Sequence, residues 1–381
     1  MNTHYDVAIA GAGPAGAAVA QSLVQAGCSV VLLERSHFDR PRIGETLAPA
    51  VQPLLLELGV WQDFLDLKPL PSYGTRSAWG APLAEAQSHL LNPYLCGWHV
   101  DRLAFDRMLA ESAVRCGAHL ELGTQVMRYV ADANGRAVLS FSRVEDPDRV
   151  EQVSADFVID ATGRKAIVAR KLGAASIMFD RLVAVAAQFE NARADANCYT
   201  LVETTSDGWW YSAPAGAGSS VAVLMTDGDL INTQHTKQLP EWQNALCRAV
   251  LTRASVDGCE LKWGPSAFSA VSQRLRRAPG DRRRWLAVGD AALAVDPVSG
   301  SGVVRALRTA KAAAAAVLST FAGAETAIPC YESDRDDECT LYLLKRAGYY
   351  RMEQRWPNAP FWQRRLATAA RVSEMKPALV A

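Results

Sequence analysis

The sequence predicts an α/β (α+β) protein in which a largely parallel sheet with helices carries an inserted antiparallel β-sheet and is followed by a C-terminal helical segment. Three observations lead to this class. The N-terminal third alternates wholly apolar strands with helices, which is typical of parallel strands buried on both faces. Residues 181–271 alternate short strand-like runs with turns, as antiparallel sheets do. The apolar run WLAVGD (285–290) then returns to the first pattern, so the first domain is predicted to be discontinuous.

Each element of the first domain follows from local signals. Apolar periodicity that ends at a glycine predicts helices at 14–26, 48–58 and 102–116. Apolar or alternating runs predict strands at 5–10, 29–34, 119–131, 137–143 and 157–163. The dipeptide Asn134-Gly135 predicts the turn of a hairpin between the strands on either side of it.

Charge and cysteine content narrow the class of protein. Forty basic and forty acidic residues cancel, so the composition indicates no nucleic-acid partner and no attraction to a membrane surface. The eight cysteines include no CxxC pair, which favours buried thiols in a reducing, cytoplasmic compartment and no metal site. Neither a signal peptide nor a membrane-spanning run is predicted.

The segment GAGPAG (11–16) carries a dinucleotide-binding signature. Gly11 permits the tight turn after the strand, Gly13 lets the backbone approach a pyrophosphate, and Gly16 lets helix and strand touch. The helix that follows directs its unpaired N–H groups and positive dipole at the phosphates. Glu34 ends the second strand 18 residues after Gly16, where a carboxylate can accept hydrogen bonds from ribose hydroxyls. These features predict a Rossmann-type domain but do not separate NAD from FAD.

A second glycine-rich segment, GDAALAVDPVSGSG (289–302), indicates a flavin. An apolar strand precedes Gly289 and Asp290, and a carboxylate at that position can bind a sugar-like polyol. The Gly-Ser-Gly at 300–302 leads into a long alanine-rich helix whose N-terminus points at an electron-rich group. A reduced flavin carries negative charge around N1 and the C2 oxygen, which such N–H groups stabilise. The two glycine segments together therefore favour FAD over NAD.

These motifs, with DATG at 160–163 between them, occur in the order found in para-hydroxybenzoate-hydroxylase-like flavin monooxygenases, and the chain resembles that superfamily. PRIGETL (41–47) and the DP-containing segment look closer to its flavin-dependent halogenase and geranylgeranyl-reductase branch. The resemblance implies that Asp290 binds the ribitol or diphosphate region of FAD and that residues 297–302 line the isoalloxazine. It implies cofactor contacts from Gly11, Gly13, Pro14, Ala15, Gly16, Glu34, Arg35, Arg42, Gly44, Glu45, Arg102, Val126, Gly289, Asp290, Pro297, Gly300, Ser301 and Gly302.

The domain prediction follows from these motifs and from the change of strand pattern. The tail mixes arginines with aromatic residues, which favours helices packed on the FAD-binding domain, with a partner-protein surface as the alternative. The predicted units are an FAD-binding domain at 1–75, 100–175 and 275–325, a substrate domain with an antiparallel sheet at 76–99 and 176–274, and C-terminal helices at 326–381.

Two likenesses bear on the substrate. Tryptophan halogenases carry a WxWxIP motif and a lysine that relays hypohalous acid, whereas this chain has GWWYSAP (208–214) and no lysine between Lys68 and Lys165. The segments PRIGETLAP, CGWHVDR and DGWWYSAP look more similar to the flavoprotein maturases that modify a tryptophan in the biogenesis of cysteine tryptophylquinone oxidases such as lysine ε-oxidase and glycine oxidase. That likeness implies an FAD-dependent monooxygenase that hydroxylates a tryptophan residue of a partner protein.

Such a reaction runs through a C4a-hydroperoxyflavin, whose distal oxygen the electron-rich indole attacks. It requires O2 together with NAD(P)H or externally supplied reduced flavin. A flavin-dependent halogenase, a small-molecule aromatic hydroxylase and a non-catalytic FAD-containing maturation chaperone are the alternatives.

Three residues are candidates for a catalytic role. His99 is the first choice for a base that removes the ring proton, and a structural histidine is the alternative. Trp210 is expected in an aromatic pocket near the flavin, with packing inside the sheet domain as the alternative. Glu45 lies in the PRIGETL loop, which the resemblance puts against the flavin, and an ordinary surface pair with Arg42 is the alternative.

Overall fold

Two seven-stranded sheets organise the part of the chain that the computed structural model describes, residues 4–132, 136–190, 198–216, 218–231 and 239–379. Strands within these residues are β1 (His4–Ala10), β2 (Val30–Leu33), β3 (Thr46–Leu47), β4 (Leu70–Ser72), β5 (Gly74–Ala78), β6 (Glu85–Ser88), β7 (Gly97–His99), β8 (His119–Glu121), β9 (Thr124–Ala131), β10 (Ala137–Arg143), β11 (Val150–Asp160), β12 (Ala175–Met178), β13 (Leu182–Glu190), β14 (Tyr199–Thr205), β15 (Gly208–Pro214), β16 (Ser219–Asp227), β17 (Glu260–Ser269), β18 (Gln273–Arg276), β19 (Trp285–Ala287) and β20 (Leu293–Ala294). Helices are α1 (Pro14–Gln25), α2 (Val51–Glu57), α3 (Trp61–Asp66), α4 (Arg102–Arg115), α5 (Ile167–Lys171), α6 (Leu239–Arg248), α7 (Val250–Ser255), α8 (Gly302–Phe321), α9 (Ala327–Met352) and α10 (Pro360–Leu379).

The first sheet confirms the predicted Rossmann-type core. Its order is β8-β2-β1-β11-β10-β9, and β19 pairs with the second half of β11. The pairs β1–β2, β1–β11, β2–β8 and β11–β19 are parallel. Val7 and Ile9 of β1 pack against α1, α4 and α8 on one face, whereas Ala8 and Ala10 pack on the other face with residues of the β9–β10 hairpin. The carboxyl ends of these five parallel strands therefore meet at one edge, where this fold binds its ligands.

The predicted strand at 119–131 is wrong in its extent, because the chain forms two strands there. Gly123 lies between β8 and β9 with φ of +66°, a left-handed conformation that interrupts extended backbone. As a result β8 joins the parallel sheet beside β2, and β9 starts the antiparallel hairpin with β10. The predicted turn residues Asn134 and Gly135 lie outside the described residues.

The second sheet has the order β17-β13-β16-β15-β14-β5-β6 and confirms the inserted sheet. Its pairs are antiparallel except β14–β5, which is parallel and joins β5 and β6 of the earlier chain segment to the sheet. One face packs against Tyr350, Phe361 and Trp362 of the C-terminal helices, and the other face packs against α6. The tail therefore covers the second sheet as well as packing on α8.

A small sheet of β3, β7 and β4 joins the two large ones. In it, Thr46 of the PRIGETL segment pairs with His99. The predicted domain boundaries stay a prediction, since sheet membership alone does not delimit a domain. Of the described helices, none has the combination of length and hydropathy that crossing a membrane requires.

Candidate functional site

The glycine segment after β1 is shaped for close approach of backbone. Gly11 has φ of +99°, and a Cβ there would collide with the carbonyl oxygen of Ala161. A Cβ on Gly16 would collide with the carbonyl oxygen of Gly11, so helix and strand touch at this point. α1 begins at Pro14, and Gly13 provides no side-chain cap for its first N–H groups. This end of α1 therefore fits the diphosphate of a dinucleotide.

Glu34 fixes the glycine segment and retains capacity for a ribose. One carboxylate oxygen accepts the Ala12 N–H at 2.8 Å, and the other accepts the Ser36 N–H at 3.0 Å. The Ser36 hydroxyl also donates to this second oxygen at 2.6 Å, so the first oxygen, whose one donor among the described residues is the Ala12 N–H, is the one with a lone pair for a sugar hydroxyl. The Thr124 N–H donates to the Glu34 carbonyl at 2.9 Å, so β9 begins beside the end of β2, two residues before the buried Val126.

Asp106, which the sequence analysis missed, joins two arginines beside the glycine segment. It is fully buried in α4 and contacts Arg42 Nη1 at 2.6 Å and Arg102 Nη2 at 3.1 Å. The alternative for Glu45, an ordinary surface pair with Arg42, is wrong, because Arg42 pairs with Asp106 and Glu45 is itself buried. The i, i+4 spacing of Arg102 and Asp106 was the available signal.

Arg102 also fixes the loop that carries Gly44 and Glu45. Its Nη1 donates to the carbonyl oxygen of Ile43 at 2.8 Å. Arg42 lies closer to the cofactor-binding edge, with its Nη1 3.8 Å from the position of a Cβ on Gly13. Arg35, also predicted to contact FAD, is exposed. The two partly buried guanidinium groups of Arg42 and Arg102 supply positive charge where a diphosphate would lie.

An ion pair joins the DATG and GDAALAVDP motifs. Arg164, just after DATG, contacts Asp290 at 2.8 Å, and both side chains are partly exposed. The Asp160 carboxylate accepts the N–H groups of Thr162 and Ala169 at 2.9 and 2.8 Å, which organises the turn. Burial raises the pKa of Asp160. Gly289 has φ of +60°, so a glycine suits the turn that presents Asp290.

Residues 297–302, which the resemblance predicts to line the isoalloxazine, are called the ring-facing segment. Asp296 supports this segment, and its two glycines are open to the surroundings. Asp296 accepts the Val298 N–H at 3.0 Å and caps the turn. Gly300 has φ of +57°, and no atom lies within 4 Å of a Cβ built on Gly300 or Gly302. Ser301 gives α8 no side-chain cap. An open backbone surface at a helix N-terminus fits a planar, electron-rich ring.

Glu45 and His99 belong to one buried polar network, formed by Glu45, Tyr211, Thr46 and His99. Tyr211 hydrogen-bonds the Glu45 carboxyl, and its hydroxyl lies 3.0 Å from Thr46 Oγ1. Thr46 Oγ1 lies 3.2 Å from His99 Nδ1. Burial raises the pKa of Glu45 and lowers that of His99 to about 4. Within the described residues His99 Nε2 has no hydrogen-bond partner.

Trp210 lies apart from this network. Successive residues of a strand point to opposite faces, so β15 directs Trp210 toward Trp242, with ring centroids 5.4 Å apart. It is Trp209 that shares a cluster with Val298 of the ring-facing segment, and its Nε1 donates to the Tyr350 hydroxyl at 3.2 Å. The structure thus brings Glu45 and His99 together and places Trp209 on the side where Trp210 was expected.

Comparison with known proteins establishes the family. The chain belongs to the FAD-binding-domain family, which matches residues 4–340, and it is an FAD-dependent oxidoreductase. It is 31% identical over 376 residues to LodB of Marinomonas mediterranea, named as an FAD-dependent oxidoreductase, with 96% of this chain and 98% of LodB covered. It is 26% identical to the 1H-pyrrole-2-carbonyl-(peptidyl-carrier protein) chlorinase of Pseudomonas fluorescens, with 84% and 77% covered.

Solved structures show the same fold. The myxobacterial chondrochloren halogenase CndH superposes with a TM-score of 0.87 at 23% identity, covering 100% of this chain and 90% of CndH. QhpG, a peptidyl tryptophan dihydroxylase essential for tryptophylquinone cofactor biogenesis, has a TM-score of 0.74 at 23% identity, covering 95% and 78%. The halogenase-like flavoprotein fold is therefore confirmed, and the individual FAD contacts stay a prediction.

Proposed function

We propose that this chain is an FAD-dependent monooxygenase that hydroxylates a tryptophan residue of a partner protein during maturation of a cysteine tryptophylquinone oxidase. The likeness to LodB over nearly the whole of both chains supports it, as does the fold shared with QhpG, which acts on a peptidyl tryptophan. FAD supplies the oxygen-transfer chemistry when bound, with O2 as co-substrate and NAD(P)H or external reduced flavin as reductant. All eight cysteines are free, which favours a cytoplasmic setting, but the prediction that they are buried holds only for Cys339.

The observation that carries hydroxylation over halogenation is the lack of a relay lysine. No lysine occurs at 69–164, and Lys68 is exposed just after α3. A tryptophan halogenase passes hypohalous acid through a lysine beside the substrate, whereas direct oxygen transfer to an indole requires placement and exclusion of water. Buried aromatic residues around Trp209 suit that second task.

Glu45 is the better candidate for the proton-transfer group within the network. Burial raises the pKa of Glu45, which favours a group that can both accept and donate a proton. His99, with a pKa of about 4, is a weak base, and we assign it the positioning of Thr46 and, through it, Tyr211. Trp210 takes no part in the proposed reaction.

Co-expression with a quinone-cofactor oxidase precursor tests this function. We expect mass spectrometry to find added oxygen on the target tryptophan of the precursor. Gly16→Val, whose side chain would collide with the Gly11 carbonyl, should leave the precursor unmodified because the cofactor-binding turn is disrupted. Failure of the FAD-loaded wild-type protein to modify the precursor, or equal modification by Gly16→Val, would refute the proposal.

Halogenation is the second candidate function, because the superposition with CndH covers this whole chain. A mass shift of the product that depends on added halide would establish it. Two results together would instead favour the maturation chaperone. NAD(P)H would fail to reduce the flavin, and flavin reduced by other means would fail to react with oxygen.

A further inference from the structure

A surplus of positive charge lies where helix α5 meets the loop before β19. Residues 161–179 and 274–285 contain ten basic side chains and a single acidic one, Asp281. The chain as a whole has no net charge, so these two segments differ strongly from the rest of it. Whether the surplus persists in the folded protein depends on the carboxylates that other segments bring to it.

The two segments meet in the folded chain. Arg283 Nη2 donates to the carbonyl oxygen of Leu172 at 2.6 Å. A Cβ on Gly173 would lie 3.9 Å from the Cβ of Ala278. Basic residues therefore gather around one point of contact, and all of them are exposed. This cluster, the basic corner, consists of Arg170, Lys171, Arg282, Arg283 and Arg284.

The one acidic residue of these segments is already occupied. The Asp281 side chain is 3% exposed, and its oxygens accept from Arg283 Nε and from Trp285 Nε1, each at 2.8 Å. Arg277 Nη1 lies 3.6 Å from the same carboxylate. Asp281 therefore holds the loop and compensates Arg283, but it leaves the charges on either side of Arg283 uncompensated.

The neighbouring carboxylates of α9 pair with arginines outside the basic corner. Glu332 contacts Arg277 and Asp336 contacts Arg274, each at 2.8 Å. Among the described residues, no carboxylate lies at salt-bridge distance from four members of the corner, which are Arg170, Lys171, Arg282 and Arg284. The surplus of charge therefore persists in the folded protein.

Local structure explains only part of this surplus. Arg170 and Lys171 lie in the last turn of α5, where basic residues interact favourably with the helix dipole. Arg170 also donates to Ser176 Oγ at 3.3 Å. Arg282 and Arg284 lie in a loop and have no such role. Like charges that are held together repel each other, so the corner favours a ligand of opposite charge.

The composition of this surface favours carboxylates of a protein. A guanidinium group binds a carboxylate through two parallel hydrogen bonds. Surfaces that bind single-stranded nucleic acid add aromatic side chains for base stacking, whereas residues 170–178 and 274–284 contain none. Ile177 and Met178, which follow the Ser176 contact, are 37% and 67% exposed. Arginine and methionine are both enriched at protein interfaces.

We propose that the basic corner docks an acidic segment of a partner protein, whose carboxylates pair with Arg170, Arg282 and Arg284. Asp281 and Arg283 hold the loop against α5, which lowers the entropy lost on binding. Under the proposed function this partner is the protein that carries the target tryptophan, so its identity rests on that function. The acidic chemistry of the segment does not.

Binding of a labelled peptide of alternating glutamate and serine tests this chemistry. Fluorescence anisotropy with the FAD-loaded protein gives the dissociation constant. The corner variant, Arg170→Glu/Arg282→Glu/Arg284→Glu, should raise that constant by about tenfold or more. The same variant should gain affinity for a peptide of alternating lysine and serine. Added salt should weaken binding by the wild type, because it screens exposed charges.

A matched control reverses three basic side chains on other elements. Arg76→Glu/Arg253→Glu/Lys345→Glu changes the net charge by the same amount, and these three side chains are exposed without a carboxylate partner among the described residues. This control should leave the affinity for the acidic peptide nearly unchanged. Urea unfolding should give near wild-type stability for both triple variants, because every substituted side chain is exposed.

Three results would overturn the proposal. The first is a wild-type protein that does not bind the acidic peptide. The second is an equal loss of affinity in both triple variants, which would indicate net charge rather than the basic corner. The third is tighter binding of a single-stranded oligonucleotide of equal charge, or of vesicles of phosphatidylserine and phosphatidylcholine, that the corner variant loses.

These measurements require no catalysis, so they are separate from the test of the proposed function. Failure to modify the precursor while the acidic peptide still binds would refute the proposed function alone. Modification of the precursor by the corner variant at the wild-type rate would remove the precursor as the partner.

Discussion

The hydroxyl of Tyr350 donates a hydrogen bond of 2.7 Å to the carboxylate of Asp296. Asp296 is fully buried, immediately precedes the ring-facing segment, and also lies 3.4 Å from Arg346 Nε. Its N–H donates to the Tyr342 hydroxyl at 2.8 Å. Tyr342, Arg346 and Tyr350 are spaced by four residues along α9 and so share one face of it. A C-terminal helix therefore holds the turn that precedes α8.

Removing the Tyr350 hydroxyl should destabilise the protein. In Tyr350→Phe, Asp296 loses a buried donor and the Trp209 indole N–H loses its acceptor, a change that costs about 1–3 kcal/mol. Urea unfolding of the FAD-loaded protein measures it. Tyr349→Phe is the control, because that neighbouring side chain is half exposed. Equal stability of the two variants would contradict the support assigned to Tyr350.

Breaking the ion pair between the two central motifs should weaken cofactor binding. Arg164→Gln leaves Asp290 without the guanidinium that orients it, so we expect the dissociation constant for FAD to rise by about tenfold. Quenching of flavin fluorescence during titration gives that constant. Lys165→Gln removes the adjacent exposed charge and should bind FAD as the wild type does. A similar loss in both variants would point to general charge rather than to the Asp290 contact.

The raised pKa of Glu45 makes a prediction about stability and pH. Between the unfolded pKa of 4.5 and the higher folded value, the native state binds more protons at this residue than the unfolded state. The contribution of Glu45 to stability is therefore present below pH 4.5 and is lost as pH rises through the folded pKa. Glu45→Gln should abolish that loss. Urea unfolding at a series of pH values gives the difference between wild type and variant, and a difference that does not change with pH would contradict the burial effect.

Replacing Trp209 or Trp210, neighbours in β15, by phenylalanine should have different effects on flavin fluorescence and on stability. Trp209→Phe alters the cluster that contains Val298, so we expect it to change the fluorescence of bound flavin. Trp210→Phe leaves a void beside Trp242 and should lower stability by about 1–3 kcal/mol without changing the flavin signal. Emission spectra and unfolding curves of both FAD-loaded variants measure the two effects. A flavin signal that responds only to Trp210→Phe would reverse the assignment of faces.

Motifs formed by consecutive residues were readable from the sequence because their geometry is local. The turn at Gly11, the strand end at Glu34 and the helix after Gly302 each depend on backbone conformation and on spacing within one segment. The distant residues that pair with side chains of these motifs could not be predicted from the sequence. The spacing of Asp106 from Arg102 in α4 signals one ion pair, but Asp106 lies 64 positions from Arg42, and no local pattern predicts that second pair.

By itself, the sequence determined the α/β class, the inserted sheet and the order of the cofactor motifs. It did so because strand, turn and helix propensities act over a few residues, and glycines are required where the backbone turns or approaches a ligand. Only the tertiary structure decided that Trp209 rather than Trp210 faces the ring-facing segment and that α9 supports Asp296. The first relationship depends on which face of the sheet each residue of β15 points to, and the second depends on how a distant helix packs. Packing across the whole chain determines both.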